Sequence, residues 1–393
     1  MTMGAFLMDT YGERPLTLVR GQGARLYDEA GREYLDALSG IAVCGLGHAH
    51  PEIAQAICEQ ASQLLHCSNL YRNPLQEELA ARLCALTGLE RAFFANSGAE
   101  ANEAALKLAR LFGHRRGVKT PTVVVMEHAF HGRTLATLTA TGNRKVQAGF
   151  EPLVAGFARA PFGDLEALER IAENNRNVVA VLVEPIQGEG GVRIPPPGYM
   201  AGLRALCDRQ GWLLMLDEVQ TGNGRTGSYY HYQQHGILPD VMTTAKGLGN
   251  GFPIGACLAR GEAAELFKPG SHGSTFGGNP AACAAALAVL RILERDDLCR
   301  RAGRLGERLV AELRTHLGDL PGVVEIRGSG LMIGIELDRP CAALVAEAAA
   351  RGLLVNVTAE RVIRLLPPLV LSEEECARLV ERLTAAVRAF LTA

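Results

Sequence analysis

Net charge is almost missing from this chain: 40 Lys and Arg stand against 42 Asp and Glu, which leaves −2. There is then no long-range field to gather a phosphate backbone or an anionic membrane, so nucleic acid and membrane surfaces are not expected partners. Missing too is any C-x-x-C pair or zinc-type Cys/His spacing among the ten cysteines at 44, 58, 67, 84, 207, 257, 283, 299, 341 and 376. Neither a disulfide framework nor a structural metal site is expected, and unpaired thiols point to a reducing, cytoplasmic setting. The longest apolar stretch, the Ala-rich segment 280–290, is well short of the roughly 18 residues of a membrane span. The N-terminus carries Asp9, Glu13 and Arg14 and lacks the apolar core of about 7–15 residues that a secretory signal needs. Internal repeats, low-complexity linkers and charge blocks are absent as well.

What is present is ordinary in bulk. The 393 residues are 48% hydrophobic and 21% charged, close to the soluble globular average and far from disorder, collagen or coiled coil. At roughly 150 residues per domain the length suggests two or three domain-sized units. Glycine stands out: 44 residues, about 11% against an average near 7%.

Short strands separated by Gly-containing turns are expected over 16–19, 25–28 and 33–36. Apolar residues at the helical period predict helices over 51–65 and 75–87, with Pro51 suited to a first helical position. Alternation follows: helix 98–112, strands at 122–126 and 178–183, helix 198–210, strands at 212–216 and 241–245. Thr122–Met126, Val178–Val183 and Trp212–Leu216 are continuous apolar runs, as in strands buried on both faces of a parallel or mixed sheet covered by helices. From about 286 the pattern becomes α+β: helices over 286–317, a strand at 332–337, a helix near 341–351, a strand at 361–366 and a helix at 372–390. The expected organisation is an N-terminal segment 1–50 of a small domain, a large α/β domain over 51–285, and the rest of the small domain over 286–393.

Asp217 and Glu218 directly follow the apolar run 212–216, at a strand's carboxyl end, where open α/β sheets place their ligands. Alone, such a pair is ordinarily a turn with capping acids. Its meaning comes from Lys246, which ends a second short strand and precedes Gly247, Gly249 and Gly251. A lysine at the end of a buried strand is desolvated, which lowers its pKa toward the free amine needed for a Schiff base. A buried aspartate with a Schiff-base lysine is what pyridoxal phosphate requires, the carboxylate keeping the pyridine nitrogen protonated. A phosphate site is offered by Asn96-Ser97-Gly98-Ala99-Glu100, where a helix begins with free N–H groups, although Ser97 and Glu100 also read as a plain capping box. Phe130 and Arg133, in the segment after 122–126, supply a ring able to stack on a heterocycle and a guanidinium fork for a carboxylate. His128 and His131 read as loop or packing residues without a catalytic role. Glu184 to Gly191 follows another strand, and Ser274 and Thr275 stand in a Gly-rich turn before a helix.

Together these segments, N-S-G-A-E-A-N-E (96–103), F-H-G-R-T (130–134), E-P-I-Q-G-E-G-G (184–191), L-D-E-V-Q-T-G (216–222), A-K-G-L-G-N-G-F-P-I-G (245–255) and S-T-F-G-G-N-P (274–280), resemble the class III pyridoxal-phosphate aminotransferases. With S-G-I-A-V (39–43), G-H-A-H-P (47–51) and S-N-L-Y (68–71), the chain looks most like the acetylornithine aminotransferases within that class. The resemblance runs from about residue 10 to the C-terminus. It implies the type I fold of pyridoxal-phosphate transferases: a mostly parallel central sheet with helices on both faces, plus a smaller α+β domain. It implies that Lys246 carries the cofactor and Asp217 pairs with the pyridine nitrogen. Gln220 would contact the ring hydroxyl, with Glu218 counted among the cofactor contacts. Val219 and Phe130 would flank the ring, while Ser97, Gly98 and Ala99 would hold the phosphate. Thr275 would reach the phosphate of a neighbouring subunit, making a homodimer with shared active sites. Arg133 and Ser274 match positions that contact the amine substrate. Arg364 matches the arginine that takes the α-carboxylate of glutamate, and Glu189 the glutamate that covers it when an ω-amine is bound.

The implied reaction moves the terminal amino group of N-acetylornithine to 2-oxoglutarate, giving N-acetylglutamate semialdehyde and glutamate, a step of arginine biosynthesis. Succinylornithine, ornithine, 4-aminobutyrate, putrescine and diaminobutyrate are the alternative amines. Asn223, Cys44 and Arg72 depart from the family's usual residues at positions near its substrate mouth. Two remoter readings are weaker. Gly222-Asn-Gly-Arg-Thr-Gly227 is a literal G-x-G-x-x-G, but it neither follows its strand directly nor opens a helix, as an NAD-linked oxidoreductase requires. A non-catalytic binding protein would be marked by loss of the lysine, and Lys246 is present.

Overall fold

The computed structural model describes residues 6–12 and 14–392; Glu13, one of the N-terminal charges considered above, lies outside the described residues. Three antiparallel strands open it, β1 (Leu18–Gln22), β2 (Arg25–Asp28) and β3 (Glu33–Asp36). The first begins two residues later than the run 16–19 suggests. Seven further strands form the central sheet: β4 (Arg91–Ala95), β5 (Thr122–Met126), β6 (Phe157–Ala160), β7 (Val178–Val183), β8 (Leu213–Asp217), β9 (Val241–Thr244) and β10 (Gly255–Ala259), in the order β4-β10-β9-β8-β7-β5-β6. From β9 to β6 all pairings are parallel, whereas β10 runs against both β4 and β9.

The continuous apolar runs have the reason the sequence indicated. Val124, Val181, Leu214 and Leu216 enter one core, against the helices Pro74–Thr87, Tyr199–Gln210 and Pro280–Arg295, while Val123, Val125, Leu182 and Met215 enter another, against the helix Gly98–Arg115. Alternate side chains leave a strand on opposite faces, so a strand covered twice needs apolar residues at every position.

The tail adds β11 (Val323–Ser329), β12 (Met332–Leu337), β13 (Leu353–Leu354), β14 (Asn356–Thr358) and β15 (Val362–Leu365). β11, β12, β15 and β14 form an antiparallel sheet, and β13 instead pairs in parallel with β3. Leu35, Ala37 and Leu46 share one core with Leu309, Leu344 and Leu379. The helical stretch expected at 286–317 is two helices, Pro280–Arg295 and Leu298–Leu317, broken where Asp297 takes φ +49°. The Ala-rich run 280–290 is the buried part of the first of these helices. β10 was not foreseen: Gly-Ala-Cys-Leu-Ala has no β-branched residue, and its place between β4 and β9 is decided by tertiary contacts. Among the described residues no helix is long and apolar enough to cross a membrane.

Ser39, Gly40, Ile41 and Ala42 form a left-handed turn, with φ of 52°, 63°, 68° and 59°. Asp36 holds its entrance, its Oδ1 accepting from the N–H groups of Leu38 and Ser39 at 2.8 and 2.9 Å. The turn delivers Val43 to the wall of the main cavity.

A close backbone approach couples the sheet to that cavity. Gly255, at the start of β10, pairs with Ala95, and a methyl group on it would overlap the Ser97 carbonyl oxygen. Gly255→Ala is expected to destabilise the protein by about 1–3 kcal/mol in urea unfolding, an effect that a free surface position would not give.

Candidate active site

Parallel strands present their carboxyl ends on one edge, and five segments of the site leave from there. β4 leads to Ser97, β5 to the loop 127–134, β7 to Glu184, β8 to Asp217 and β9 through Ala245 to Lys246. They enclose a cavity of about 370 Å³, the size of a small organic ligand's site. Of the residues expected at a site, Ser97, Gly98, Ala99, Phe130, Arg133, Asp217, Val219, Gln220 and Lys246 line it.

Ser97 caps the helix Gly98–Arg115, its side chain accepting from the Glu100 N–H at 3.2 Å. Glu100 accepts from the Asn96 N–H at 2.5 Å and not from that of Ser97, so Ser97 caps the helix without the reciprocal half of a capping box. The first N–H groups of the helix have no intrahelical acceptor and carry the positive end of its dipole. Glycine is required beside them, because a Cβ on Gly98 would lie 2.7 Å from Val219 Cγ1. This corner is built for an anion.

Asp217 is buried, 4% exposed. Its Oδ2 accepts from Asn102 Nδ2 at 2.7 Å and from His131 Nδ1 at 2.8 Å, and its Oδ1 from the Val219 N–H at 3.1 Å. Asn102 is oriented in turn by the Thr243 hydroxyl, which donates to its Oδ1 at 2.7 Å. Two side-chain donors on one oxygen leave the other, with a single backbone donor, able to accept from a ring N–H. Asn102 and His131 were missed by sequence reasoning. The i+4 spacing of Asn102 from Gly98 puts it on the helix face that meets the sheet, which is the one signal that could have found it.

Lys246 is half-buried, at φ +46°. Desolvation is the largest influence on its amine and lowers its pKa; Glu189, Asp217 and Glu184 oppose that, and Arg364 reinforces it. Glu184 accepts from the Phe130 N–H at 2.8 Å and the Gly188 N–H at 3.2 Å, and burial raises its pKa.

Glu189 and Arg364 stand just outside the lining and are joined to it by Gln220. Arg364 Nη1 donates to Glu189 Oε1 at 2.6 Å and to Gln220 Oε1 at 3.3 Å, and Nε to Asn356 Oδ1 at 3.2 Å. The guanidinium is fully buried, yet Nη2 has no partner among the described residues. A buried unpaired donor is a standing cost, and a carboxylate is what its fork geometry would accept.

Other expected residues lie elsewhere. Glu218 does not reach the cavity: its carboxylate is buried behind the strand and accepts from the Tyr232 N–H at 2.9 Å and the Thr221 hydroxyl at 2.5 Å. Thr275 is exposed on the turn before Pro280, beside Cys67 and Asn69. Ser274 Oγ accepts from the Gly277 N–H at 3.0 Å within that turn and from Nδ2 of Asn96, a residue of the cavity wall, at 3.2 Å. Arg72 is an exposed partner of Glu77, Cys44 is half-buried, and Asn223 is buried beneath Lys246 rather than at a mouth. The loop Gly222–Gly227 wraps a buried Arg225, which donates to the Leu331 carbonyl at 3.1 Å, and opens no helix. All ten cysteines are free, and among the described residues no cluster of three metal-ligating side chains occurs.

Comparison with known proteins adds names to this geometry. The family described as aminotransferase class-III matches residues 8–387. An acetylornithine aminotransferase of Nitrosomonas europaea is 57% identical over 385 residues, 98% of each chain. Among solved structures, the ornithine aminotransferase of Toxoplasma gondii ME49 superposes with a TM-score of 0.95 at 35% identity, over 98% of this chain and 93% of that one. The N-acetylornithine aminotransferase of Stenotrophomonas maltophilia K279a gives 0.85 at 37% identity, over 98% of both.

Glu218 provides a test by pH. Burial pushes its carboxyl up to about 7, so the folded protein holds a proton that the unfolded chain releases near pH 4.5. The contribution of Glu218 to stability then falls as pH rises from about 4.5 to about 7, and is lost above. Glu218→Gln should lack that component, gaining on the order of 3 kcal/mol relative to wild type across the window in urea unfolding. Parallel pH profiles for the two proteins would locate the titration elsewhere.

Proposed function

This chain belongs to the class-III aminotransferases, with their pyridoxal-phosphate dependence and type I fold, and from that premise we propose its reaction and the division of labour among its residues. The reaction is transfer of the terminal amino group of N-acetylornithine to 2-oxoglutarate, giving N-acetylglutamate semialdehyde and glutamate in arginine biosynthesis. The observation that carries the reading is a lysine of lowered pKa on a cavity next to a buried arginine with one unpaired amino group. The full-length similarity to acetylornithine aminotransferases selects the amine.

The residues fit the cofactor. When bound, pyridoxal phosphate supplies an aldehyde that links to amines and an electron-poor ring that accepts charge from the substrate carbon. Ser97 and the N–H groups of Gly98 and Ala99 would hold its phosphate, Asp217 its ring N–H and Gln220 its ring hydroxyl, with Val219 and Phe130 on the two faces. Lys246 Nζ, once free, would be the base: kept from water, it would take the proton from the carbon that bears the substrate amine and give it up to the cofactor, leaving that carbon as an aldehyde after hydrolysis. Asn102 and His131 hold Asp217 in place for the ring. Arg364 Nη2 receives the α-carboxylate of 2-oxoglutarate, and Glu189 covers the guanidinium when the amine donor is present, which spares a buried charge from standing alone. Arg133, exposed at the rim, takes the carboxylate of N-acetylornithine, with Ser274 nearby in the family's arrangement.

Thr275 serves the neighbouring subunit's site in a homodimer with shared active sites. Its exposure on the face that carries the exposed apolar Leu64, Leu65, Leu70, Tyr71 and Phe276 supports that assignment. Free cysteines support a cytoplasmic location. The division into 1–50 with 286–393, and 51–285, is part of the same reading, supported by the core that Leu35 and Leu46 share with the tail.

Borohydride reduction of the yellow holoenzyme should trap the cofactor on Lys246, and Lys246→Ala should abolish the adduct; an adduct surviving that substitution would sink the assignment. A panel of N-acetylornithine, N-succinylornithine, ornithine, 4-aminobutyrate, putrescine and 2,4-diaminobutyrate with 2-oxoglutarate, ranked by kcat/KM, should place N-acetylornithine first. Arg133→Ala should lose about 10–100-fold more with N-acetylornithine than with putrescine, which has no carboxylate, as expected for a charged hydrogen bond of about 1.5–3 kcal/mol. Equal losses would remove Arg133 from that role.

A further inference from the structure

The loop that follows β8 folds back beneath the end of β9, and Asn223 is where the two meet. Its backbone lies in the left-handed region, at φ +55°, which asparagine and glycine accept far more readily than apolar residues. The side chain is 5% exposed. Its amide Nδ2 donates to Thr244 Oγ1 at 3.0 Å and to the Ala245 carbonyl oxygen at 3.1 Å. A main-chain carbonyl can only accept, so this contact fixes which end of the amide is nitrogen. The other end, Oδ1, is buried without a partner among the described residues. An unpaired buried acceptor lowers stability, so the amide is not accounted for by folding alone.

The residue after Ala245 is Lys246, also left-handed at φ +46°. A lysine in that conformation is strained and keeps it only while its neighbours hold the adjoining peptides. The Ala245 carbonyl is held twice, by Asn223 and by the Leu248 N–H at 2.9 Å. On the far side of the lysine, a Cβ on Gly247 would lie 3.0 Å from Asn223 Cβ. Asn223 therefore fills the space of a missing side chain at 247 while it grips the carbonyl at 245. No other side chain donates to the peptide that precedes the lysine among the described hydrogen bonds.

We infer that Asn223 is a positioning residue for Lys246: by gripping the Ala245 carbonyl and packing on Gly247, it fixes the strained backbone from which the lysine enters the cavity, and so keeps Nζ out of water. This rests on the reading of Lys246 as the lysine that carries the cofactor.

Two readouts on the holoenzyme keep the two ideas separate. The position of the borohydride-trapped adduct, found by mass spectrometry, reports on Lys246. The midpoint of the absorbance titration of the lysine-linked cofactor reports on Asn223. Asn223→Gly retains a residue suited to the left-handed backbone and removes the amide. It should leave the adduct on Lys246, raise the midpoint by about one pH unit as Nζ regains hydration, and lower kcat about tenfold with both KM values unchanged. Gly247→Ala keeps the amide but pushes it aside, and should move the midpoint in the same direction. Wild-type midpoints in both variants, with the adduct still on Lys246, would overturn the inference even if melting temperatures fell. An adduct elsewhere in the wild type would instead overturn the reading of Lys246, and this inference with it.

Discussion

Under the proposed function Lys246 acts as a free amine near neutral pH and has to be kept from water, and most of this structure bears on that condition. Three acids, Glu189, Asp217 and Glu184, surround Lys246 and favour its charged form. Desolvation must outweigh them, which it does because the lysine follows a strand whose two faces are both covered. Arg364 assists twice, by its own field on Lys246 and by neutralising Glu189 through a 2.6 Å contact. The central sheet, its helices and the tail that carries Arg364 thus all bear on the proton affinity of one amine.

The buried carboxylates show how partners divide roles between chemically identical groups. Asp217 receives donors on both oxygens, including a side-chain amide and an imidazole. Glu184 has two backbone donors but little solvent, and its pKa rises. Glu218, the immediate neighbour of Asp217, points the other way along the chain's alternation and serves the loop 221–232. Period two places adjacent residues on opposite sides of an extended chain, so of an Asp-Glu pair only one could enter the cavity.

That alternation also separates what could be read from the sequence from what could not. Groups at or just past a strand's carboxyl end, Asp217, Lys246, Glu184 and Ser97, were legible because a buried apolar run announces where that end lies. Asn102 and His131 were not, because their importance depends on where Asp217 comes to rest, a contact between positions 115 and 86 residues apart. β10 was hidden by its small residues, and with it the reason for Gly255. Asn223 was noticed as unusual but placed at the wrong depth: a residue's oddness in a sequence says nothing about which side of the backbone it occupies. Thr275 was singled out only through resemblance; it lies exposed on its turn, outside the lining of the cavity.

The strand order has a metric consequence. Backbone hydrogen bonding sets neighbouring strands about 4.8 Å apart, so the site is graduated like a scale. Taking β9 and its lysine as the origin, β8 with Asp217 is one division away, β7 with Glu184 two, and β5 with the 127–134 loop three; β4, which leads to Ser97, is two divisions to the other side, with β10 as the spacer. These intervals belong to the main chain and are indifferent to side-chain identity. Residues at the strand ends can therefore be exchanged, and the preference for one amine over another retuned, without changing the scale on which the cofactor is measured.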